Sequence, residues 1–493
     1  VLKRMLVAPD PGRTRLRAAL RAVLGVGAAV TSSYLVGHTL PGAIVGGLAA
    51  LLALFTVADA GVRAQAVTTV LLPVVGAPVL ALATALHTVP WARDAAFLAV
   101  VGAGVYARRW GARGNALGIF AFMAFFMAQF LRAVPGQLPA LYAAMATGLI
   151  ASAAVRFGAW CYERRQPPPV VLTPPGGRGL ARVTTRQAVQ ATLACAFALG
   201  AGQLVSQQRW YWAVVTAWWI FVNTSSRGET LVRGFRRVLG TVTGIVAGLV
   251  VAVPLNGAPV PTLALVAACV FGIFYAAPVS YSWMMFAVTS MAGLLYGLLG
   301  VLTPDLLVLR LTETGVGALG AALAVALVLP VTTHATTDAW IRRTLHAVRD
   351  ATVAAGSAQP LHPHIARLDL LLGRVRLTLA PLVHPLSPLR ARKARARRVL
   401  ALLDDCARQV RGLAGAVAEH AAGHDEVLVA ACARVETAVL RLLAPHEAAD
   451  AAHHPAGAPA VDHPALVHLH GLEAALRELH APLNAAPRPA LAA

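Results

Sequence analysis

Glu313 has more chemistry to offer than any other single residue of this sequence. It lies several residues inside an apolar stretch, 307–330, and Arg310 precedes it by one helical turn. A carboxylate near the middle of a bilayer is costly unless it is paired, hydrated or protonated. Two uses are open to it: a local i, i+3 ion pair with Arg310 near the outer surface, or a group that takes up a proton or meets a substrate.

The stretch 207–248, QQRWYWAVVTAWWIFVNTSSRGETLVRGFRRVLGTVTGIVAG, is the richest in functional side chains. Trp210, Tyr211 and Trp212 read as an interfacial anchor. Trp218 and Trp219 either pack or stack on a ligand ring. The amide of Asn223 needs a partner inside hydrocarbon, so it bridges helices or lines a cavity. Thr224–Ser226 offer helix N-cap chemistry, with Glu229 in the first turn beyond. Arg233, Arg236 and Arg237 anchor the inner membrane face through lipid phosphates or attract an anion. Gly240, Gly244 and Gly248 give one helix face three small residues on which a neighbour can pack closely. The candidate substrate pathway is therefore Trp218, Asn223, Arg233, Arg236, Arg237, Thr241 and Glu313, with Gly240, Gly244 and Gly248 assigned to helix packing.

These residues need a membrane bundle to position them. Of 493 residues, 58% are hydrophobic and 13% charged, with a mean hydropathy of +0.66. A soluble domain carries nearer ~25% charged residues, so an ordinary cytosolic enzyme, a disordered chain and a disulfide scaffold are excluded. Crossing ~30 Å of hydrocarbon takes ~20 apolar residues as a helix. Spans are predicted near 18–37, 40–57, 65–86, 94–107, 115–131, 138–157, 187–206, 211–224, 236–253, 260–277, 283–300 and 307–330. Pro41, Pro90, Pro135, Pro139, Pro259, Pro261 and Pro304 fall at their edges, where a missing N–H costs least. The basic N-terminal residues lead into a retained first span rather than a cleaved leader.

The net charge of +21 follows the same plan. Residues 1–334 hold 24 Lys and Arg against 7 Asp and Glu; alternate loops collect twenty of these cations on one side and four on the other. The positive-inside rule then makes both termini cytoplasmic. The two halves read as a repeat: Asp59-x-x-x-Arg63 matches Glu229-x-x-x-Arg233 at an offset of 170, and Leu141–Phe157 resembles Leu311–Leu327. Six spans per half would give the repeats one orientation, about an axis along the membrane normal. The predicted fold is all-α: a polytopic bundle of about twelve spans in two parallel six-helix repeats, followed by a cytoplasmic helical domain. The domains are 1–160, a Pro/Gly-rich linker at 161–186, 187–332 and 333–493.

The last domain shows 4,3,4,3 stripes: Val399, Leu403, Cys406, Val410, Leu413 and Val417, then Leu428, Cys432, Val435, Val439 and Leu442. A third runs through Leu466, Leu469, Leu472, Leu476 and Leu479. Such stripes bury one face of each helix in a small bundle or hairpin. The run Arg390, Arg392, Lys393, Arg395, Arg397, Arg398 reads as a solvated face or an anionic-lipid contact, not a nucleic-acid site. The five cysteines form no CxxC, and the histidines, thirteen of sixteen beyond residue 334, form no HExxH, so neither metal nor cofactor is expected. With no Walker A loop, transport would draw on a gradient or on diffusion.

Tyr211-Trp212-Ala213, Asn223–Ser226, Glu229-Thr230-Leu231, Arg237-x-x-Gly240-Thr241-x-x-Gly244 and Arg310-Leu-Thr-Glu313-Thr-Gly315 resemble the fusaric acid resistance protein-like (FUSC), or aromatic acid exporter, family of bacterial integral membrane transporters. The resemblance runs over 186–330. It implies a secondary exporter of the inner membrane, proton-coupled, for small aromatic organic anions or toxic compounds, and no enzyme. The partners would be the lipid bilayer, the anion and a proton, and a homo-oligomer is compatible with the architecture. Two alternatives stay open: a passive organic-anion channel, and a membrane scaffold whose cytoplasmic domain binds a partner. If the repeats are parallel, a shared path is expected at their interface, lined by the second and third spans of each half.

Overall fold

The computed structural model describes residues 10, 13–163, 179–222, 224, 226–255, 257–329, 333–357, 359–383, 390–419, 426–443 and 464–484. Asn223, most of the inter-half linker, and the Gly423 and Pro-rich breaks of the C-terminal domain lie outside the described residues. The described residues show helices and no strand, and they divide into two compact units.

The first unit holds twelve helices among the described residues. The first half contains α1 (Thr14–Leu35), α2 (Leu40–Thr56), α3 (Val62–Ala85), α4 (Pro90–Tyr106), α5 (Gly111–Leu131) and α6 (Leu138–Glu163). The second half contains α7 (Val183–Val205), α8 (Tyr211–Phe221), α9 (Arg227–Ala247), α10 (Pro259–Ala276), α11 (Tyr281–Leu298) and α12 (Pro304–Leu327). Among the described residues, eight helical stretches are long and apolar enough to cross a membrane; α2 and α8 are shorter apolar helices, and α4 and α5 count as one stretch, Pro90–Leu131. The unit is thus that of a multi-pass helical membrane protein. Large apolar side chains such as Leu24, Val70, Val250 and Val260 stand exposed on it, which suits lipid rather than water.

Local chemistry sets the ends. Proline sits at the first turn of α2, α4, α10 and α12, where φ is already suited to a helix and no N–H bond is lost. Thr303 caps α12, its hydroxyl accepting from the Leu306 N–H at 3.3 Å. Ser226 caps α9 in the same way, accepting from the Glu229 N–H at 3.4 Å. Asp10 folds over the start of α1, accepting from the N–H groups of Arg15 and Leu16 at 3.1 and 3.2 Å and from the Thr14 hydroxyl. Burial pushes the Asp10 carboxyl up, but those donors and the Arg15 charge hold it below its ordinary value.

Helix α9 begins nine residues before the span predicted at 236. Its first turns put Thr230, Gly234 and Arg237 inward while Phe235 and Arg236 stay exposed. A hydropathy reading stops at the arginines, but the backbone continues through them because one face is buried. Beyond Ala247 the helix continues through a single π turn, Gly248–Ala252, to Leu255.

The same pairings recur in each half. Helix α1 packs on α2 and α6, as α7 packs on α8 and α12; α2 packs on α6 as α8 does on α12; α3 packs on α5 as α9 does on α11. The halves then meet by exchange: α4 packs on α7, and α10 on α1. Asp94 on α4 accepts from the Gln203 amide of α7 at 2.7 Å. Small residues allow the close contacts. A Cβ on Gly240 would meet the Ser282 carbonyl oxygen at 2.5 Å, and one on Gly244 would meet Thr289 Cβ at 2.7 Å. In hydrocarbon there is no hydrophobic drive between helices, so such packing carries the association.

The second unit holds α13 (Thr333–Gly356), α14 (His362–Val383), α15 (Arg390–Glu419), α16 (Glu426–Leu443) and α17 (Pro464–Asn484). Their order of contact is a ring: α13 on α14, α14 on α15, α15 on α17, α17 on α16 and α16 back on α13. The predicted stripes point into it, with Leu403, Cys406, Val410, Val435, Val439, Leu472 and Leu479 buried. Each such side chain contributes ~1.5–3 kcal/mol. The sequence reading missed that α13 and α14 complete this core through Leu345, Val348, Leu368 and Val375. Burial pushes the Cys406 thiol up to about 12, helped by Asp405, and the Cys432 thiol up to about 11.

Candidate functional site

Polar groups collect at two levels of the second half. The first lies where α8 begins, α11 ends and α12 has run about two turns. Glu313 is fully buried there, where the backbone N–H of Ala213 faces its carboxylate. Arg310 is also buried, but instead of pairing with Glu313 it lies over the Trp212 ring, 3.9 Å from the centroid. Arg209, in the turn before α8, lies over Tyr296 at 5.6 Å. Arg209 and Arg310 are the positive charges that act on Glu313. The local i, i+3 ion pair, one of the two uses open to Glu313, is not formed.

Glu313 is inward because of its helix. On α12, Gly317 and Gly320 lie so close to α7 and α8 that a Cβ on them would meet the carbonyl oxygens of Ala213 and Ala194 at 2.3 and 2.9 Å. That face also carries Arg310 and Glu313, all within the i, i+3, i+4 set. Phe126 and Phe130 of α5 wall the cluster from the first half, with ring centroids 5.1 and 6.1 Å from Trp212.

The second level surrounds the break between α8 and α9. Arg108, in the turn between α4 and α5, donates to the carbonyls of Phe221 at 3.0 Å and Thr224 at 3.4 Å, and to Gln187 at 3.3 Å. Gln187 donates to the Thr224 carbonyl at 2.5 Å. These donors satisfy the carbonyl end of a short helix, as helix ends require. Arg156 serves α2 in the first half in the same way, donating to Val57 and Ala53. Arg233 donates to the Trp219 carbonyl at 3.3 Å and lies over Tyr281 at 4.0 Å. Arg237 donates to the Tyr281 hydroxyl at 3.3 Å and to Met285 Sδ.

The candidate pathway residues therefore separate. Arg233 and Arg237 meet around Tyr281, whereas Arg236 is exposed. Thr241 is buried one turn beyond Arg237. Trp218 is buried with its face stacked on Phe122 at 4.0 Å and Trp219 against its edge, so its ring is occupied by protein. Gly240 and Gly244 touch α11, and Gly248 lies beside Gly293. Glu313 belongs to the other cluster.

The path expected between the repeats needs correction. The interface between halves is built by first and fourth helices, α1 with α10 and α7 with α4, and by the aromatic contact of α5 with α8, whereas the third helices α3 and α9 pack within their own halves. Second helices do approach it, since Phe55 of α2 lies 6.4 Å from Trp219. The reason is geometric: α9 is drawn to α11 by its glycines, away from the other half. Sequence reasoning also missed Tyr296, one of several aromatics in an apolar run with no signal of its own. Arg108 and Arg209 were legible only as topology charges, and Trp210 and Tyr211, taken for an interfacial belt, are buried.

No curated protein and no solved structure matches the chain. Residues 193–326, which run from within α7 into the last turn of α12 and contain the Arg310–Glu313 cluster as well as Arg233 and Arg237, match the family model described as fusaric acid resistance protein-like.

Proposed function

We propose that the protein is a secondary transporter of the bacterial inner membrane that exports small organic anions, aromatic carboxylates among them, with proton movement handled by Glu313. The observation that carries this reading is a fully buried carboxyl group inside the family-matched membrane segment and beside two arginines, neither of which forms an ion pair with it. Carboxyl groups in such positions are expensive unless they serve a relay or pathway. The bundle crosses the membrane twelve times on this reading, α2 and α8 being short spans that end in arginine-satisfied carbonyls. The loops after α2, α4, α6 and α8 face the cytoplasm, and the arginines there draw anions toward the inner mouth. No step requires an enzyme-like bond change.

The test is flux of a panel of labelled aromatic acids from proteoliposomes under imposed pH gradients of either sign. Saturable, pH-dependent flux that loses its pH dependence in the Glu313→Gln variant is expected. Absence of flux for every member of the panel, or flux equal in wild type and variant at all pH values, overturns the reading. Single-channel current steps would replace it with a passive channel.

A further inference from the structure

The basic run 390–398 takes no part in the membrane helices, and contacts inside the second unit show where it stands. Arg367 meets Asp350 at 3.3 Å, folding α14 back along α13. Arg376 meets Asp404 at 2.5 Å and Asp369 meets Arg411 at 2.5 Å, so α15 runs antiparallel to α14. The start of α13, the end of α14 and the start of α15 therefore share one end of this bundle. Arg342 donates to the Leu443 carbonyl at 3.4 Å, which brings the end of α16 there. Arg395 donates to the Leu483 carbonyl at 3.0 Å, which brings the end of α17. The chain arrives from α12 at this same end, since residues 328–332 lead straight into α13.

Charge is divided along α15. Residues 390–398 carry six cations and no acid, whereas 404–419 carry Asp404, Asp405 and Glu419 against Arg408 and Arg411. Two of the six cations are used inside the unit: Arg395 holds the last turn of α17, and Arg398 faces Glu478 at 3.5 Å. Arg392 and Arg397 are exposed. The ion-pair register starts α15 about two turns beyond the end of α14. Arg342 and Arg441, at this end of α13 and α16, are exposed and of the same sign. Against all of these stand Asp338 and Glu478, the acids of this end among the described residues.

We propose that this end of the helical unit docks on an anionic phospholipid surface, with Arg392 and Arg397 meeting the lipid phosphates. A guanidinium fork matches phosphate oxygens in pairs, and basic clusters that follow a membrane span are drawn to anionic headgroups. A nucleic acid would call for cations spread along a face or groove. Here they gather at one end, the end at which the chain comes from the membrane helices. Docking then answers to lipid composition: anionic headgroups hold the unit, and their dilution releases it. The proposal concerns neither the transported anion nor its coupling, so it stands or falls apart from the transport reading.

The experiment encodes a fluorescent amino acid at Ala394, an exposed position, in the full chain in nanodiscs. Energy transfer to an acceptor dye on the lipid headgroups is then read. Discs of phosphatidylcholine alone are compared with discs in which about a third of the lipid is phosphatidylglycerol. Transfer should rise with phosphatidylglycerol and fall back to the phosphatidylcholine value in about 1 M salt, where charges act over only about 3 Å. Replacing both Arg392→Gln and Arg397→Gln should weaken docking about fivefold for each charge removed. The same fluorophore at Ser357, at the opposite end of the bundle, should show little response. The lipid and salt comparisons use the wild-type surface, so they decide the matter even if the variant folds poorly. Transfer indifferent to lipid charge or to salt, an equal response at Ser357, or a folded variant that docks like the parent overturns the proposal. Capture of a labelled oligonucleotide by the parent and not by the variant, with no response to lipid, would assign the surface to nucleic acid instead.

Discussion

Arg237 and Arg63 stand near corresponding positions of the two halves, yet Arg237 is buried against Tyr281 and Met285 while Arg63 is exposed. Replacing Arg237 by Ala is expected to impair transport more than replacing Arg63 by Ala, with little change in membrane insertion. Flux normalised to inserted protein checks this; equal losses would leave Arg237 with an anchoring role alone. Asp10 offers a pH test outside the membrane. Its folded carboxyl is held below the ordinary value, so the cap contributes fully above that value and is lost as pH falls through the lowered one. Asp10→Asn should therefore lower the melting temperature at pH 6 and make no difference once the acid has protonated wild type too, well below pH 4. At this scale Glu313 was legible because one acid in an apolar run is conspicuous. Its neighbours were not, since Tyr296 and Arg209 approach it only through the fold.

Element contacts were legible where small residues repeat. The spacing of Gly240 and Gly244 marked a packing face, and α11 occupies it. Gly240→Ala should cost about 1–3 kcal/mol, the range for overpacking a close contact, because the new methyl meets the Ser282 carbonyl and Met285 Cβ. Gly200→Ala, with nothing within 4 Å of its new methyl, should be tolerated. Thermal stability of the detergent-solubilised variants separates them. The 4,3 stripes of α15, α16 and α17 were legible too, as alternation of that kind specifies a buried face whatever partner covers it. The partners α13 and α14 were not, because Thr, Ala and Arg interrupt their stripes and only packing shows which side is inward. The buried Cys406, with its thiol raised to about 12, should resist maleimide at neutral pH in the folded domain and react once urea unfolds it. Rapid labelling of native protein would contradict the bundle core.

Topology belongs to the whole molecule. Cysteines introduced at Gly257 and at Ser357 should be labelled from opposite sides of the membrane, Gly257 from outside; labelling of both from one side would overturn the charge-based orientation. The repeat itself was visible only as two short acid-arginine matches, because Ala, Val and Leu align with one another in any register. The contact pattern, α4 on α7 and α10 on α1, is far more specific.

That reciprocal exchange bears on how the two halves divide their work. Two surfaces that serve each other in turn are what two separate six-helix halves would need in order to pair about a two-fold axis. The two halves differ in chemistry. Position 313 carries the acid in one copy, while the residue 170 positions earlier, Ala143, has no charge. The first half thus walls and braces the second through Phe126, Phe130 and Arg108. A chain rebuilt with an acid and an arginine at Ala143 and Ala140 would ask whether a symmetric arrangement works.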